Sequence, residues 1–295
     1  MLKLAMIDGA GAFHARAFAG LINHIDRDAF AGHKWPMYDN HLGDKAVITH
    51  VWDADAKVAR QLAKAANIDH VVDKPADVIG KVDGVLLTDN LVMTHQRHAP
   101  EFLRAGVPTF IDKPLAPTLR QARSIVKLAE QHDTPMTSCS ALRYATEIAD
   151  RAALADRVGD ITAVTCAGVN ELFFYGIHPL TLMVTLIDAR IVSVRHVGTK
   201  EHNVVRVRFA DGRMGVLMVY STGMAFAFTA TVHGSKGHER IAVTDSAGFY
   251  SRMLDAFLTS IETRRPAVAY DETLNIIAAL LAAKRSLRER RECRM

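Results

Sequence analysis

The residues Gly9-Ala10-Gly11-Ala12-Phe13-His14 follow an apolar run over 2–7 and open a helical pattern. Two glycines there permit a tight turn whose backbone N–H groups approach a pyrophosphate at a helix amino terminus. The third glycine of the usual dinucleotide fingerprint is replaced by His14. A second apolar run ends in His50-Val51-Trp52-Asp53. An acidic residue at that strand end accepts hydrogen bonds from a ribose diol and repels a 2′-phosphate. Nothing basic directly follows Asp53, so the pattern points to NAD, with NADP the weaker alternative. Asp53 also suits the cap of the helix that starts near Asp55. The glycine turn upstream favours the cofactor reading.

The spacing from the glycines to Asp53 exceeds the usual gap of about twenty residues. A stretch rich in His, Asp, Gly and Pro, residues 24–44, accounts for the excess. Loops of that length are often functional, and this one is expected at the mouth of the cofactor or substrate cleft, near the adenosine side. His33, Asp39 and His41 have metal-ligand chemistry, but loop histidines at a surface are far commoner, and no metal is expected. Lys113 directly follows the run over 107–111, at the end of a strand where parallel sheets bind ligands.

An ordered series of motifs covers nearly the whole chain. It comprises Asp83-Gly84-Val85, His95 with Ala99 and Gly106, Phe110-Ile111-Asp112-Lys113-Pro114-Leu115-Ala116 and Ser140-Ala141-Leu142-Arg143-Tyr144. It continues through Tyr175-Gly176-Ile177-His178-Pro179 and closes on Pro266, Glu272 and Ser286. This series resembles the Gfo/Idh/MocA oxidoreductases, in which the central motif reads Glu-Lys-Pro. The resemblance implies a Rossmann domain, then a domain whose open sheet binds substrate and often mediates oligomerisation. It implies a dinucleotide site of Gly9, Gly11, Ala12, Phe13, His14 and Asp53. Thr88, Asn90, His95, Asp112 and Lys113 complete that set. Lys113 is the implied acid/base that takes the hydroxyl proton, because a desolvated lysine has a lowered pKa. Asp112 is one methylene shorter than the family's glutamate, and the same local role is expected.

The family's second motif carries an aspartate four residues before its histidine. His178 matches the histidine, and Phe174 stands where the aspartate belongs. Tyr175 is therefore a second candidate for catalysis beside His178. Arg143, Tyr144 and Asn170, with Tyr175, His178 and Lys113, are the candidate substrate contacts. The implied partner is a sugar, polyol or sugar acid, oxidised at a secondary alcohol. Two other readings compete: a hydrolase or lyase that uses held NAD for transient oxidation, and a non-catalytic NAD-binding regulator.

These residues need elements to carry them. Up to about residue 141, continuous apolar runs at 2–7, 46–52, 82–87, 107–111 and 135–138 alternate with amphipathic helices at 57–66 and 118–131. That alternation predicts a doubly wound parallel sheet, a Rossmann domain over 1–141. Beyond it, strands are expected at 161–169, 191–198, 204–209, 214–220 and 225–233, with Asp211-Gly212 as a hairpin turn. With helices at 176–187, 249–263 and 272–290, these predict an α+β domain over 142–295, its sheet largely antiparallel and open. The fold class is thus α/β plus α+β, with a homo-oligomer, dimer or tetramer, expected through the second sheet.

Composition restricts the partners. The 295 residues are 49% hydrophobic and 23% charged, which excludes a disordered chain. The net charge of +4 is carried entirely between residues 284 and 294, where six basic residues face Glu289 and Glu292. A basic helix end complements the helix dipole, and without interleaved aromatics no nucleic acid is expected. The longest apolar stretch, 276–283, is too short for a bilayer, so no membrane is expected. Three scattered cysteines and an amino terminus without signal-peptide zones make the cytoplasm the expected location.

Overall fold

The computed structural model describes residues 1–30, 38–89, 92–223 and 225–295. The chain forms two compact units, one from 1–138 with 250–270, the other from 139–249 with 271–295.

The first unit is built on six parallel strands: β1 (Leu2–Ile7), β2 (Ala46–Trp52), β3 (His70–Val71), β4 (Gly84–Leu87), β5 (Thr109–Ile111) and β6 (Met136–Thr137). Their order is β3-β2-β1-β4-β5-β6. All five neighbouring pairs run parallel. This is the doubly wound order, whose direction reverses between β1 and β4, so the crevice for a ligand opens beyond the carboxyl ends of those two strands. β4 and β5 are buried throughout, which explains their unbroken apolar sequence. The crossover helices are α1 (Phe13–Ile22), α3 (Ala56–Ala65), α4 (Val92–Arg104) and α5 (Leu119–Gln131), with a short α2 (Arg27–Phe30) after α1.

One helix departs from its expected place. α8 (Ser246–Thr263), read from sequence with the second half, gives residues 250–263 to the first unit. Its apolar stripe finds cover there: Phe257 is fully buried and meets Phe110 of β5 edge-on at 5.8 Å.

The second unit holds a seven-stranded sheet of β7 (Ile161–Val169), β8 (Ile191–His196), β9 (His202–Phe209), β10 (Met214–Tyr220), β11 (Phe228–Gly234), β12 (His238–Val243) and β13 (Cys293–Arg294). Its order is β12-β11-β7-β10-β9-β8-β13, with only β7 and β10 parallel. Burial alternates along β9 and β10, so one face is covered and the other open. α7 (Ile177–Ile187) covers β7, β10 and β11. Gly215 makes this close approach possible, because a Cβ there would run into the sulfur of Met183. α6 (Arg151–Val158) and α9 (Tyr270–Glu289) complete the unit. The basic run at 284–294 is more than a helix end: after α9 the chain turns, and β13 pairs with β8. Glu292 there accepts hydrogen bonds from Ser193 and Arg206.

The described parts of the 24–44 stretch correct the expected position at the cleft mouth. α1 starts at the carboxyl edge of the sheet and carries the chain back to the amino edge, where β2 begins. Asn40 N–H donates to Gly20 O at 2.8 Å, Leu42 N–H to Leu21 O at 3.0 Å and Asp26 N–H to Ala65 O at 2.9 Å. These described parts therefore pack on the far ends of α1 and α3, opposite the glycine turn. Residues 31–37, His33 among them, lie outside the described residues. Asp39 pairs with His24 and Arg27, and His41 meets Tyr38 edge-on at 5.8 Å. Among the described residues no group of His, Cys, Asp and Glu is arranged to hold a metal.

Asn23 fastens that edge. Its buried amide donates to Ile48 O at 2.9 Å and Ala66 O at 2.8 Å and accepts from Ile48 N–H at 2.8 Å. At about 1 kcal/mol per hydrogen bond, Asn23→Ala is expected to lower stability by on the order of 3 kcal/mol. Urea unfolding checks this as a lower midpoint at unchanged slope, with NAD affinity unchanged.

Candidate active site

Between β1 and α1 the chain turns on Asp8 and Gly9, both with positive φ, 60° and 71°. A Cβ on Gly9 would lie 2.5 Å from the Cα of Asp89 and 2.7 Å from Thr88 O, so only glycine lets this turn lie against the end of β4. Thr88, fully buried, donates its hydroxyl to Asp8 O at 2.9 Å and holds the turn from β4. Ala12 is the N-cap of α1, with no side-chain cap and no acidic residue in the first turn. In contrast, α3, α5 and α6 are each capped by their own side chain, Asp55, Thr118 and Asp150. The amino end of α1 thus keeps its positive dipole for an external anion. Asp53, half-buried, accepts Ala10 N–H at 2.7 Å and Asp55 N–H at 2.8 Å. Asp55, not Asp53, caps α3, and Asp53 ties the end of β2 to the glycine turn. This close-fitting turn, uncapped helix and carboxylate at the end of β2 fit a dinucleotide: Gly9, Gly11 and Ala12 for the pyrophosphate, Asp53 for the adenosine ribose.

At the next strand end sits Asp112, whose carboxylate is buried and doubly engaged. Oδ1 accepts Lys113 N–H at 2.8 Å, and Oδ2 accepts the Nδ1–H of His14 at 2.6 Å. Burial pushes the Asp112 carboxyl up, but His14 and Lys113 outweigh it and hold it below the ordinary aspartate range. Lys113 is itself buried, at 6% exposure, and that burial lowers its pKa from the ordinary lysine value against the pull of Asp112. A lysine whose pKa is lowered in this way is better suited to proton transfer than an exposed one. His95 is buried behind the loop: Nδ1 donates to Leu115 O at 3.2 Å, and Nε2 lies 3.3 Å from Asp89. It braces the segment that carries Lys113. Phe13 lies half-buried against His14 and Tyr250. Asn90 lies outside the described residues.

The second unit carries the other candidates. His178, in the first turn of α7, is buried and shares a 2.8 Å hydrogen bond between Nδ1 and Ser140 Oγ. Ser140 also accepts Leu142 N–H at 3.2 Å, so its hydroxyl proton is free to point at the imidazole. Tyr175 stands edge-on to His178 at 5.9 Å. Asn170, Glu171, Phe174, Tyr175 and Ser221 line an open depression of about 600 Å³. Phe174 contributes an apolar wall where the resemblance expects an acid. Glu171 does not replace that acid, since it accepts the N–H groups of Phe173 and Phe174 at 2.8 and 2.7 Å and pairs with Lys284. Arg143 is ion-paired with Glu272, so this guanidinium is oriented from α9. Burial pushes the Tyr144 phenol up, which keeps it neutral.

Three participants escaped sequence reasoning: Tyr250, Ser140 and Glu272. Tyr250 shares a 3.2 Å hydrogen bond with His14 from a helix whose periodicity signals only packing. Ser140 and Glu272 stood inside quoted motifs, but nothing in their spacing announces the partners His178 and Arg143.

Residues 3–138 match the family model described as "Oxidoreductase family, NAD-binding Rossmann fold", that of the Gfo/Idh/MocA proteins. No curated protein matches the sequence. Solved structures match at full length but low identity. The myo-inositol dehydrogenase of Lactobacillus casei, solved with NAD(H) and myo-inositol, is 15% identical with a TM-score of 0.81, covering 100% of this chain and 97% of that one. The myo-inositol dehydrogenase of Corynebacterium glutamicum is 14% identical at 0.82, covering 100% and 99%. The myo-inositol 2-dehydrogenase of Lactobacillus plantarum is 15% identical at 0.79, covering 100% and 99%. Residues 3–138 are thus an NAD-binding Rossmann domain of the Gfo/Idh/MocA oxidoreductase family.

Replacing Asp53 with Ala removes the brace on Ala10 and the carboxylate expected to meet the ribose. We expect NAD binding to weaken by about 1.5–3 kcal/mol, with reduced preference for NAD over NADP. Calorimetric titration of both dinucleotides checks this, and unchanged dissociation constants would remove Asp53 from the site.

Proposed function

We propose that this oxidoreductase is an NAD-dependent dehydrogenase that oxidises a secondary alcohol of a sugar, polyol or sugar acid, or reduces the matching ketone. The observation that carries the reading is Lys113. It is a buried lysine whose peptide N–H is held by Asp112 at the carboxyl edge of the parallel sheet, where the glycine turn also lies. NAD, when bound, supplies the hydride acceptor. Lys113 accepts the hydroxyl proton as the carbonyl forms and returns it in the reverse direction. Its burial favours the neutral amine, the form required for oxidation. The first unit serves the dinucleotide. The second supplies substrate contacts: His178 as a hydroxyl partner or second acid/base oriented by Ser140, Tyr175 and Asn170 along the open depression, and Arg143 and Tyr144 as positioning groups. The inositol dehydrogenases of like fold support a cyclic polyol as the first substrate to test.

Phe174 favours one alternative. Without the acid expected there, a reaction that oxidises a sugar carbon transiently, eliminates at the neighbouring carbon and then reduces again is chemically accessible. It would release product with no net NADH. We also propose self-association through the open face of the second sheet, where Met214 and Val216 are 48% and 36% exposed beside Arg206 and Arg208. Among the described residues no helix is long and apolar enough to cross a membrane. The buried thiols of Cys139, Cys166 and Cys293 support a reducing, cytoplasmic setting.

Lys113→Met keeps the stem and removes the proton acceptor. With an inositol or sugar that the wild type turns over, kcat is expected to fall about 10²–10⁴-fold, with NAD affinity little changed. Near-normal turnover would move the search to Tyr175 and His178. For the sheet, Val216→Arg places a charge on the open face and is expected to shift the molecular mass in light scattering to the monomer. A wild-type monomer would contradict the association.

A further inference from the structure

The third glycine position of the dinucleotide turn holds His14, and its ring is bonded to the carboxylate that precedes Lys113. Nδ1 meets Asp112 Oδ2 at 2.6 Å, and Nε2 lies 3.2 Å from the hydroxyl of Tyr250 in α8. A phenolic proton on Nε2 leaves the Nδ1 proton for Asp112, so the two contacts together select one tautomer. The ring lies flat on Phe18, with centroids 5.3 Å apart and planes 8° from parallel. Phe18 in turn meets Phe110 edge-on at 5.7 Å, two residues before Asp112. The imidazole is held on three sides, and one carboxylate joins it to the peptide of Lys113. A glycine at this position would provide none of these contacts.

We propose that His14, oriented by Tyr250, is a positioning residue: it commits the negative charge of Asp112 to the imidazole and so weakens the hold of that carboxylate on the Lys113 ammonium. The inference rests on the reading of Lys113 as the proton acceptor. Burial disfavours the ammonium form of Lys113, and the charge of Asp112 favours it. A carboxylate that already receives a short, strong hydrogen bond offers a weaker counter-charge to a second cation. Among the described residues, His95 of α4, Asp89 after β4 and Tyr250 of α8 are titratable groups at the same edge. His95 is committed to Leu115 O and lies beside Asp89. His14 makes a 2.6 Å contact with Asp112 Oδ2 and is the side chain through which the carboxylate's pull on the lysine is set. Without it the carboxylate stays charged, because an ordinary aspartate holds its proton far more weakly than an ordinary lysine, and the ammonium of Lys113 is stabilised.

The test follows the Lys113 amine by NMR in the full chain labelled with ¹⁵N-lysine, without dinucleotide or substrate, the resonance being identified by its loss in Lys113→Met. His14→Phe keeps the stacked ring and removes both nitrogens. Its Lys113 midpoint is expected at higher pH than in the wild type. His14→Gln, which still donates to Asp112, is expected to restore part of the difference. Asp112→Asn is expected to move the midpoint down, and adding His14→Phe to it should have no further effect. The pH profile of kcat/KM on an accepted polyol is expected to move with the midpoint, falling about tenfold at neutral pH for each unit. A midpoint unmoved in His14→Phe, or moved equally with Asp112 absent, overturns the proposal. If the midpoint moves and the kcat/KM profile does not, the coupling stands and the role of Lys113 as proton acceptor fails. Should His14→Phe not fold, Tyr250→Phe, which deletes a single hydroxyl, is expected to give a smaller upward shift, and no shift there overturns it.

Discussion

A fully buried carboxylate is costly unless hydrogen bonds and opposite charge replace its water, and Asp112 is the point at which this fold meets that requirement. It draws on three chain segments. His14 of α1 donates to one oxygen, the peptide of Lys113 donates to the other, and the Asp112 N–H donates to Leu87 O of β4 at 2.9 Å. Satisfying Asp112 therefore fixes the start of α1, which carries the glycine turn, relative to the loop that carries Lys113. The dinucleotide turn and the lysine share one geometry because they share one anion.

The rest of the first unit supports that arrangement. The strand order β3-β2-β1-β4-β5-β6 brings the ends of β1, β4 and β5 side by side. Each end contributes one part: the positive-φ turn from β1, Thr88 and Asp89 from β4, Asp112 and Lys113 from β5. Phe18, Phe110 and Phe257 form the apolar packing beneath, in edge contacts of 5.7 and 5.8 Å. Burial of Lys113 itself lowers its affinity for a proton. The second unit uses the same device at smaller scale: Ser140 holds His178, and Glu272 holds Arg143, so the polar groups expected to meet a substrate are oriented by neighbours with no other function in the site.

Much of this was legible in the residues. β1, β2, β7 and β10 stand where their apolar or alternating patterns placed them, because a strand's burial pattern is written in its own sequence. The glycine turn and Lys113 were legible because each directly follows such a strand. Other features depend on partners distant in sequence. β12 carries His238, Glu239 and Arg240 and pairs only with β11 at the sheet edge, so its sequence lacks a strand's apolar signature. β13 is two residues inside a basic tail. The periodicity of α8 announces a buried face but not which sheet buries it. The length of the 24–44 stretch points toward the cofactor cleft, whereas the direction of α1 puts its described parts at the opposite edge. The His14–Asp112 contact joins residues 98 positions apart, and nothing local marks them as partners.

The account stands on a neutral, desolvated lysine taking the substrate's proton. Its most direct test is single-turnover oxidation of myo-inositol or another accepted polyol by the wild-type protein with saturating NAD, followed at the NADH absorbance across pH. The account predicts a stoichiometric rise in NADH whose rate increases with pH to a plateau, with a midpoint below the ordinary lysine pKa, and a slower transfer from substrate deuterated at the reacting carbon. A rate that does not depend on pH, or product formed with no NADH at any pH, would contradict it.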